Sequence, residues 1–230
     1  MRLADGAPVL VTGGSSGLGA AVARSVARAG GIPLVVDRAP PPYEVEHELV
    51  DLADTPAAEE TVRRLAERHG GLFGVVTAAG TDACGRLEDV SLNDWERVVR
   101  INLLGTAAVV RAALPYLEAS GGRVVTVAST LGLRALSDAT AYCASKFGVV
   151  GFTRALAAET AGRIGVTMLV PGGMQTAFFD GREEKYKPPP DADLADPDDV
   201  ASAVVFVLSQ PSTCEVRELV VTPSRESSWP

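Results

Sequence analysis

"VTGGSSGLGAAVA", residues 11–23, decides how the rest of the chain is read. An apolar run, Pro8 to Thr12, ends in a glycine-dense turn, and an alanine-rich stretch with helical patterning follows at once. Gly13, Gly17 and Gly19 permit a tight turn, a close backbone approach by a ligand, and a helix packed hard on its strand. The helix start offers unpaired N–H groups and a positive dipole end to a phosphate. The spacing is G-x-x-x-G-x-G, and the Lys-Ser/Thr pair of a nucleotide-hydrolysing P-loop is missing. A strand, glycine turn and helix in this order predict a dinucleotide site at the head of an α/β domain.

Working outward, short apolar runs keep alternating with helical patterns. "PLVVD" (33–37) and "ELVDL" (48–52) read as strands, followed by a helix over 56–69. "LFGVVTAAG" (72–80) precedes one long helical region from Ser91 to about Ala119. "RVVTVAS" (123–129), a helix from about Ala139 to Thr160, "IGVTMLV" (164–170), a helix near 197–209 and "VRELVV" (216–221) complete the series. Continuous Val/Leu/Ile strands suit a parallel sheet buried on both faces. The expectation is α/β: a doubly wound parallel sheet of about seven strands with helices on both faces. Thr55-Pro56 and Asp196-Pro197 mark helix starts, and Ser91 with Asp94 resembles a capping box. The segment 177–196 is charged and proline-broken and reads as a mobile surface insertion in an otherwise single domain, 1–230.

Composition narrows the partners. A net charge of −8 over 230 residues, and a pI near 4.9, argue against nucleic acid or an anionic membrane as the main partner. No apolar run reaches the roughly 18 residues of a membrane span, and "MRLADGAPVLVTGG" lacks the features of a signal peptide. Three scattered cysteines and two histidines give neither a disulfide framework nor metal-ligand spacing. The expectation is a cytoplasmic protein without a metal.

Two further features carry chemistry. Asp37 closes the second strand 18 residues past Gly19, where a carboxylate accepts hydrogen bonds from ribose hydroxyls and repels a 2′-phosphate. That favours NAD over NADP, with Arg38 as the counter-argument. Tyr142 and Lys146 in "AYCASK" (141–146) lie one helical turn apart on one face. An unperturbed phenol has a pKa near 10, about 0.1% ionised at pH 7, and a neighbouring cation favours the ionised form. The pair reads as a general base and the ammonium that lowers its pKa.

With these stretches in order, the chain resembles the short-chain dehydrogenase/reductase family in its single-domain, Rossmann-like form, nearly end to end. "TGGSSGLG" (12–19) resembles the family's cofactor loop, placing Gly13, Ser15, Ser16, Gly17, Leu18 and Gly19 at the cofactor with Asp37 and Arg38. "VDLAD" (50–54) resembles its adenine-contacting segment through Asp51 and Leu52, and "AAG" (Ala78, Ala79, Gly80) the turn after strand 4. "INLLG" (101–105) carries the family's helix asparagine, Asn102. "VASTLG" (127–132) and "YCASK" (142–146) resemble the catalytic segments. "PGGMQT" (171–176) resembles the loop closing over the nicotinamide, through Pro171, Gly172, Met174 and Thr176.

The resemblance implies the roles. Ser129 hydrogen-bonds the substrate oxygen, Tyr142 exchanges the proton, Lys146 also holds the nicotinamide ribose, and Asn102 positions a water that relays protons. It implies interconversion of a secondary alcohol and a ketone with NAD(H), NADP being the lesser candidate, and a homodimer or homotetramer. The alternatives are an NADPH-dependent ketoreductase, for instance on a 3-oxoacyl thioester, and a cofactor-binding sensor or scaffold without turnover. Three departures stand out. Thr77 replaces the asparagine that usually precedes "AAG" and is expected to hydrogen-bond backbone. Segment 177–196 occupies the place of the substrate lid, with Phe178, Phe179 and Tyr186 lining a pocket or pinning the loop. The tail, "VVTPSRESSWP", with Trp229 expected to be exposed, replaces the usual Asp-Gly-Gly-like ending.

Overall fold

The computed structural model describes residues 1–226 and Ser228; Trp229 lies outside the described residues. Seven strands form one sheet: β1 (Pro8–Thr12), β2 (Ile32–Asp37), β3 (Glu46–Leu49), β4 (Gly74–Thr77), β5 (Arg123–Val127), β6 (Gly165–Pro171) and β7 (Glu218–Val221). Their order is β3-β2-β1-β4-β5-β6-β7. Every pairing is parallel, so each strand aims its C-terminal end at the same edge. The order reverses between β1 and β4, which places the ligand crevice of an open α/β sheet at their C-terminal ends. The glycine turn sits there.

The helices are α1 (Gly17–Arg28), α2 (Thr55–Arg68), α3 (Leu92–Val99), α4 (Thr106–Ser120), α5 (Thr140–Glu159) and α6 (Pro197–Leu208). On one sheet face, Val22 and Val26 of α1 and Val200, Val204 and Leu208 of α6 pack over Val9, Val11 and Leu169. On the other, Val62 and Leu65 of α2 and Val109 and Leu117 of α4 cover Leu10, Leu34 and Val75. The central strands are buried on both sides, which is why they read as unbroken apolar runs. Helix starts follow the sequence: Asp54 caps Ala57, Ser91 caps Asp94 and Asp196 caps Asp198 through side-chain acceptors.

Two expectations are corrected. The third strand is "EHEL" (46–49) rather than 48–52. It is an edge strand whose glutamates face arginines on α2, Glu48 with Arg64 at 3.0 Å and Glu46 with Arg68 at 3.0 Å, so polarity rather than an apolar run marks it. The long helix after β4 is also not continuous. Residues Arg100–Gly105 form a π turn between α3 and α4, a widened turn of the kind found at functional sites. By length and composition Leu92–Ser120 would cross a membrane. More than half of its most apolar window is packed inside the domain, and it delivers Asn102 to the site.

Candidate active site

The glycine turn is held by close backbone packing. Gly13 has φ of 72°, and a Cβ there would meet the Ala79 backbone at 2.7 Å. A Cβ on Gly19 would run into the carbonyl oxygen of Gly13. These contacts draw the α1 turn onto Ala78–Gly80 after β4. Ser16, at the N-cap of α1, makes no side-chain cap, and the first turn holds no acidic residue. The leading N–H groups are therefore available to an anion, the arrangement a phosphate requires. Thr176, on the loop after β6, lies across from Gly17, 3.5 Å from where a Cβ would be.

Asp37 holds the turn as well as the position expected of a ribose acceptor. Its Oδ2 accepts from the Ser15 N–H at 2.9 Å and its Oδ1 from the Ala39 N–H at 3.2 Å. Arg38 is exposed and its charge acts on Asp51. Asp51 accepts from Ala53 N–H at 2.9 Å and from Arg97 at 2.9 Å, and these partners, the backbone one first, hold its carboxyl below the ordinary value against burial. Leu52 is buried beneath it.

Four side chains converge at the ends of β4 and β5. Asn102, only 1% exposed on the π turn, accepts from the Thr81 N–H (2.8 Å) and donates to the Thr81 carbonyl (2.9 Å) and to Ser145 Oγ (3.0 Å). Ser129 follows β5 and is 8% exposed. A side-chain hydrogen bond joins it to the phenol of Tyr142. Lys146, 4% exposed, donates from Nζ to the Val127 carbonyl at 2.8 Å and lies 5.6 Å from the Tyr142 ring centroid. Gly80 touches both groups: a Cβ there would be 3.6 Å from Asn102 Oδ1 and 3.8 Å from Lys146 Nζ.

Burial dominates the electrostatics of both groups. Burial is the largest influence on Tyr142 and pushes its phenol up to about 12, against the lowering effect of Ser129; Asp82 adds to the rise and Arg182 opposes it. Lys146 is not among these influences. Burial brings its own ammonium down to about 8, and Nζ is committed to the Val127 carbonyl. Each group loses hydration on packing into the site, and that loss sets the direction of both shifts.

The 177–196 segment reaches the Tyr142 ring. The Phe178 ring lies 5.8 Å from that of Tyr142 and packs edge-on to Phe179 at 5.7 Å. Arg182 sits against both phenylalanines, 5.0 and 4.7 Å from their centroids, and pairs with Asp82 at 2.7 Å. Tyr186 accepts from Arg182 through its backbone carbonyl, and its ring lies against Lys185 at 4.6 Å. The base of the lid is closed by backbone hydrogen bonds between Gln175 and Ala195 and between Ala195 and Gly173.

The comparisons with known proteins give the family and the fold. Residues 7–187 match the family described as short chain dehydrogenase. It belongs to that family. D-threitol dehydrogenase of Mycolicibacterium smegmatis is 35% identical over 225 residues, covering 89% of this chain and 86% of that one. An alcohol dehydrogenase from Thermococcus sibiricus, complexed with 5-hydroxy-NADP, superposes with a TM-score of 0.85 at 26% identity over 94% and 96% of the two chains. A short-chain dehydrogenase from Burkholderia cenocepacia in complex with NADP gives 0.82 at 28% identity, covering 95% and 97%. The chain is thus an oxidoreductase of the short-chain dehydrogenase family, acting on CH–OH donors with NAD(P). Both superposed structures carry NADP or a derivative, so the expectation that NADP is the lesser candidate is corrected.

Within this short-chain dehydrogenase, the structure gathers Asn102, Ser129, Tyr142 and Lys146, and brings Gly13, Gly17, Gly19, Asp37, Ala79, Gly80 and Thr176 to one crevice. Thr77 departs from expectation: among the described residues its buried hydroxyl has no partner, and the neighbouring Thr12 hydroxyl takes the Ala79 N–H at 3.1 Å. Sequence reading missed Asp82 and Arg182, which lie 100 residues apart. It singled out the tail as a departure but not the contacts the tail makes. Glu226 accepts from the Gly173 N–H at 2.8 Å, and Ser228 hydrogen-bonds Thr130, next to Ser129, at 2.7 Å. Arg225 forks onto Asp193 at 2.6 and 2.9 Å. The tail thereby ties the 177–196 segment, the loop after β6 and the turn after β5 together.

Proposed function

We propose that this chain interconverts a secondary alcohol and a ketone, with Tyr142 as general acid and base. The observation that carries the reading is the buried cluster itself: the phenol joined to Ser129, one helical turn from Lys146, with Asn102 behind them and the open N-terminus of α1 beside them. Ser129 holds the substrate oxygen. The Tyr142 Oη takes the hydroxyl proton in oxidation and returns it in reduction. Lys146 holds a cofactor ribose, and Asn102 positions the relay by which the proton reaches solvent.

The residues present fit a nicotinamide dinucleotide. The leading N–H groups of α1 suit its pyrophosphate, Asp37 its adenosine ribose, Asp51 and Leu52 its adenine end, and Pro171, Gly172, Met174 and Thr176 its nicotinamide end. When bound, the cofactor supplies the hydride acceptor in oxidation and the donor in reduction. Asp37 supports NAD, whereas the exposed Arg38 beside it supports the 2′-phosphate of NADP, and the proposal covers both.

We read the chain as one domain, with 177–196 as the substrate lid, and as a cytoplasmic homo-oligomer. Exposed Phe147 on α5 and Phe206 on α6 support the oligomer. The relative named for D-threitol supports a secondary alcohol that carries further polar groups. The test is fluorescence titration with NADH and NADPH, followed by a panel of secondary alcohols. Saturable binding with alcohol-dependent cofactor reduction is expected. Binding without any turnover on a broad panel would favour a sensor or scaffold.

A further inference from the structure

Asp82 and Arg182 are charged, nearly buried and used by none of the steps above. Their side chains are 9% and 17% exposed, and the pair spans the loop after β4 and the lid. Burying two charges is costly even when they meet, and Phe178 and Phe179 already give the lid an apolar seat over Tyr142. A latch alone needs no guanidinium. Arg182 has one terminal nitrogen on Asp82 and the other 3.3 Å from the Tyr186 carbonyl, with aromatic rings against it. Among the described residues its Nε is buried with no partner. An orphaned donor on a buried charged group calls for an acceptor.

The position of the pair says what that acceptor belongs to. Both charges act on the Tyr142 phenol, and Phe178 joins Arg182 to the Tyr142 ring. The pair therefore stands one aromatic ring away from the Tyr142 ring. The sign of the charge says what kind of ligand fits. Asp82 balances Arg182, and the Cys84 thiol, which donates to Asp82 at 3.1 Å, is pushed up to about 12 chiefly by burial and stays neutral. The wall carries no net positive charge for a carboxylate. A plain alkanol leaves Nε unpaired. A hydroxyl accepts from Nε and can donate to the Asp82 carboxylate in return.

We propose that Asp82 and Arg182 are specificity-determining residues that read a second hydroxyl, so that the substrate is a neutral polyhydroxylated alcohol. This rests on the proposed function. The test uses four-carbon compounds that differ only in polar groups: 2-butanol, 2,3-butanediol, threitol and 3-hydroxybutyrate. Steady-state oxidation is measured with wild type, Arg182→Met, Arg182→Lys and Asp82→Asn. A site built to hydrogen-bond a hydroxyl discriminates strongly against the analogue lacking it, so wild type should favour threitol over 2-butanol in kcat/KM by about 100-fold or more. Arg182→Met, which keeps the length of the stem, and Arg182→Lys, which keeps the charge without Nε, should each cut that ratio at least tenfold. Calorimetric binding of threitol to cofactor-loaded Tyr142→Phe should weaken by a similar factor when Arg182→Met is added. A preference for 2-butanol or 3-hydroxybutyrate, or a ratio unmoved by both Arg182 variants, overturns the assignment. Tyr142-dependent oxidation of 2-butanol without polyol preference would do so while leaving the proposed function standing. No Tyr142-dependent turnover of any of the four would overturn both.

Discussion

Replacing Lys146 by Met should abolish turnover and make the protein more stable at neutral pH. The ammonium is 4% exposed, and burial lowers its pKa from 10.5 to about 8. At about 1.36 kcal/mol per pH unit, holding that charge inside costs the folded state ~3.4 kcal/mol. Methionine fills a similar volume without the charge, but it strands the Val127 carbonyl now paired with Nζ, which returns about 1–2 kcal/mol of the gain. The net is ~2 kcal/mol, or about 4–8 °C in Tm for a chain of this size. The pH dependence follows from proton counting. Below pH 8 both folded and unfolded chains hold the proton and the full penalty stands. Between about 8 and 10.5 the unfolded chain keeps a proton the folded chain has lost, so wild-type stability rises with pH across this window and the variant's advantage shrinks. Thermal melts of both proteins at pH 7 and pH 9.5 check this. A variant less stable than wild type at pH 7, or a difference that does not change with pH, would refute the reasoning.

Other perturbations test the surroundings. Gly19→Ala forces a methyl onto the Gly13 carbonyl; cofactor binding should be lost and stability should fall by about 1–3 kcal/mol, read by fluorescence titration and urea melts. Asp37→Ala removes the acceptor for Ser15 N–H and for a ribose, so NAD should weaken more than NADP in parallel titrations. Equal losses would contradict the ribose assignment. Glu226→Ala frees the Gly173 N–H and should raise KM for cofactor several-fold with the melt nearly unmoved. Glu226→Gln, which keeps an acceptor oxygen, should restore most of it.

The sequence was most informative where chemistry and backbone geometry coincide locally. The glycine turn, the strand-end Asp37 and the helical pair Tyr142–Lys146 each sit within one element, and each lies where the pattern put it. The β3 edge strand was misread because "ELVDL" is apolar while the paired stretch, "EHEL", is defined by ion pairs to α2 that no local pattern carries. The π turn at Asn102 is a matter of hydrogen-bond register, invisible to side-chain periodicity. The phenol's rise to about 12 depends on how deeply the lid and α5 bury it, which spacing cannot tell. Asp82–Arg182 and Glu226–Gly173 join residues far apart in the chain. Each was legible only as an ordinary surface charge.

The central claim is that the Tyr142 Oη moves the proton of the reaction. The direct measurement is turnover of a secondary alcohol by Tyr142→Phe at saturating cofactor, with cofactor affinity measured on the same protein. General acid–base catalysis contributes about 10²–10⁴-fold, so the rate should fall by at least about 10²-fold while cofactor affinity changes little. A variant that turns over within about tenfold of wild type would contradict the account.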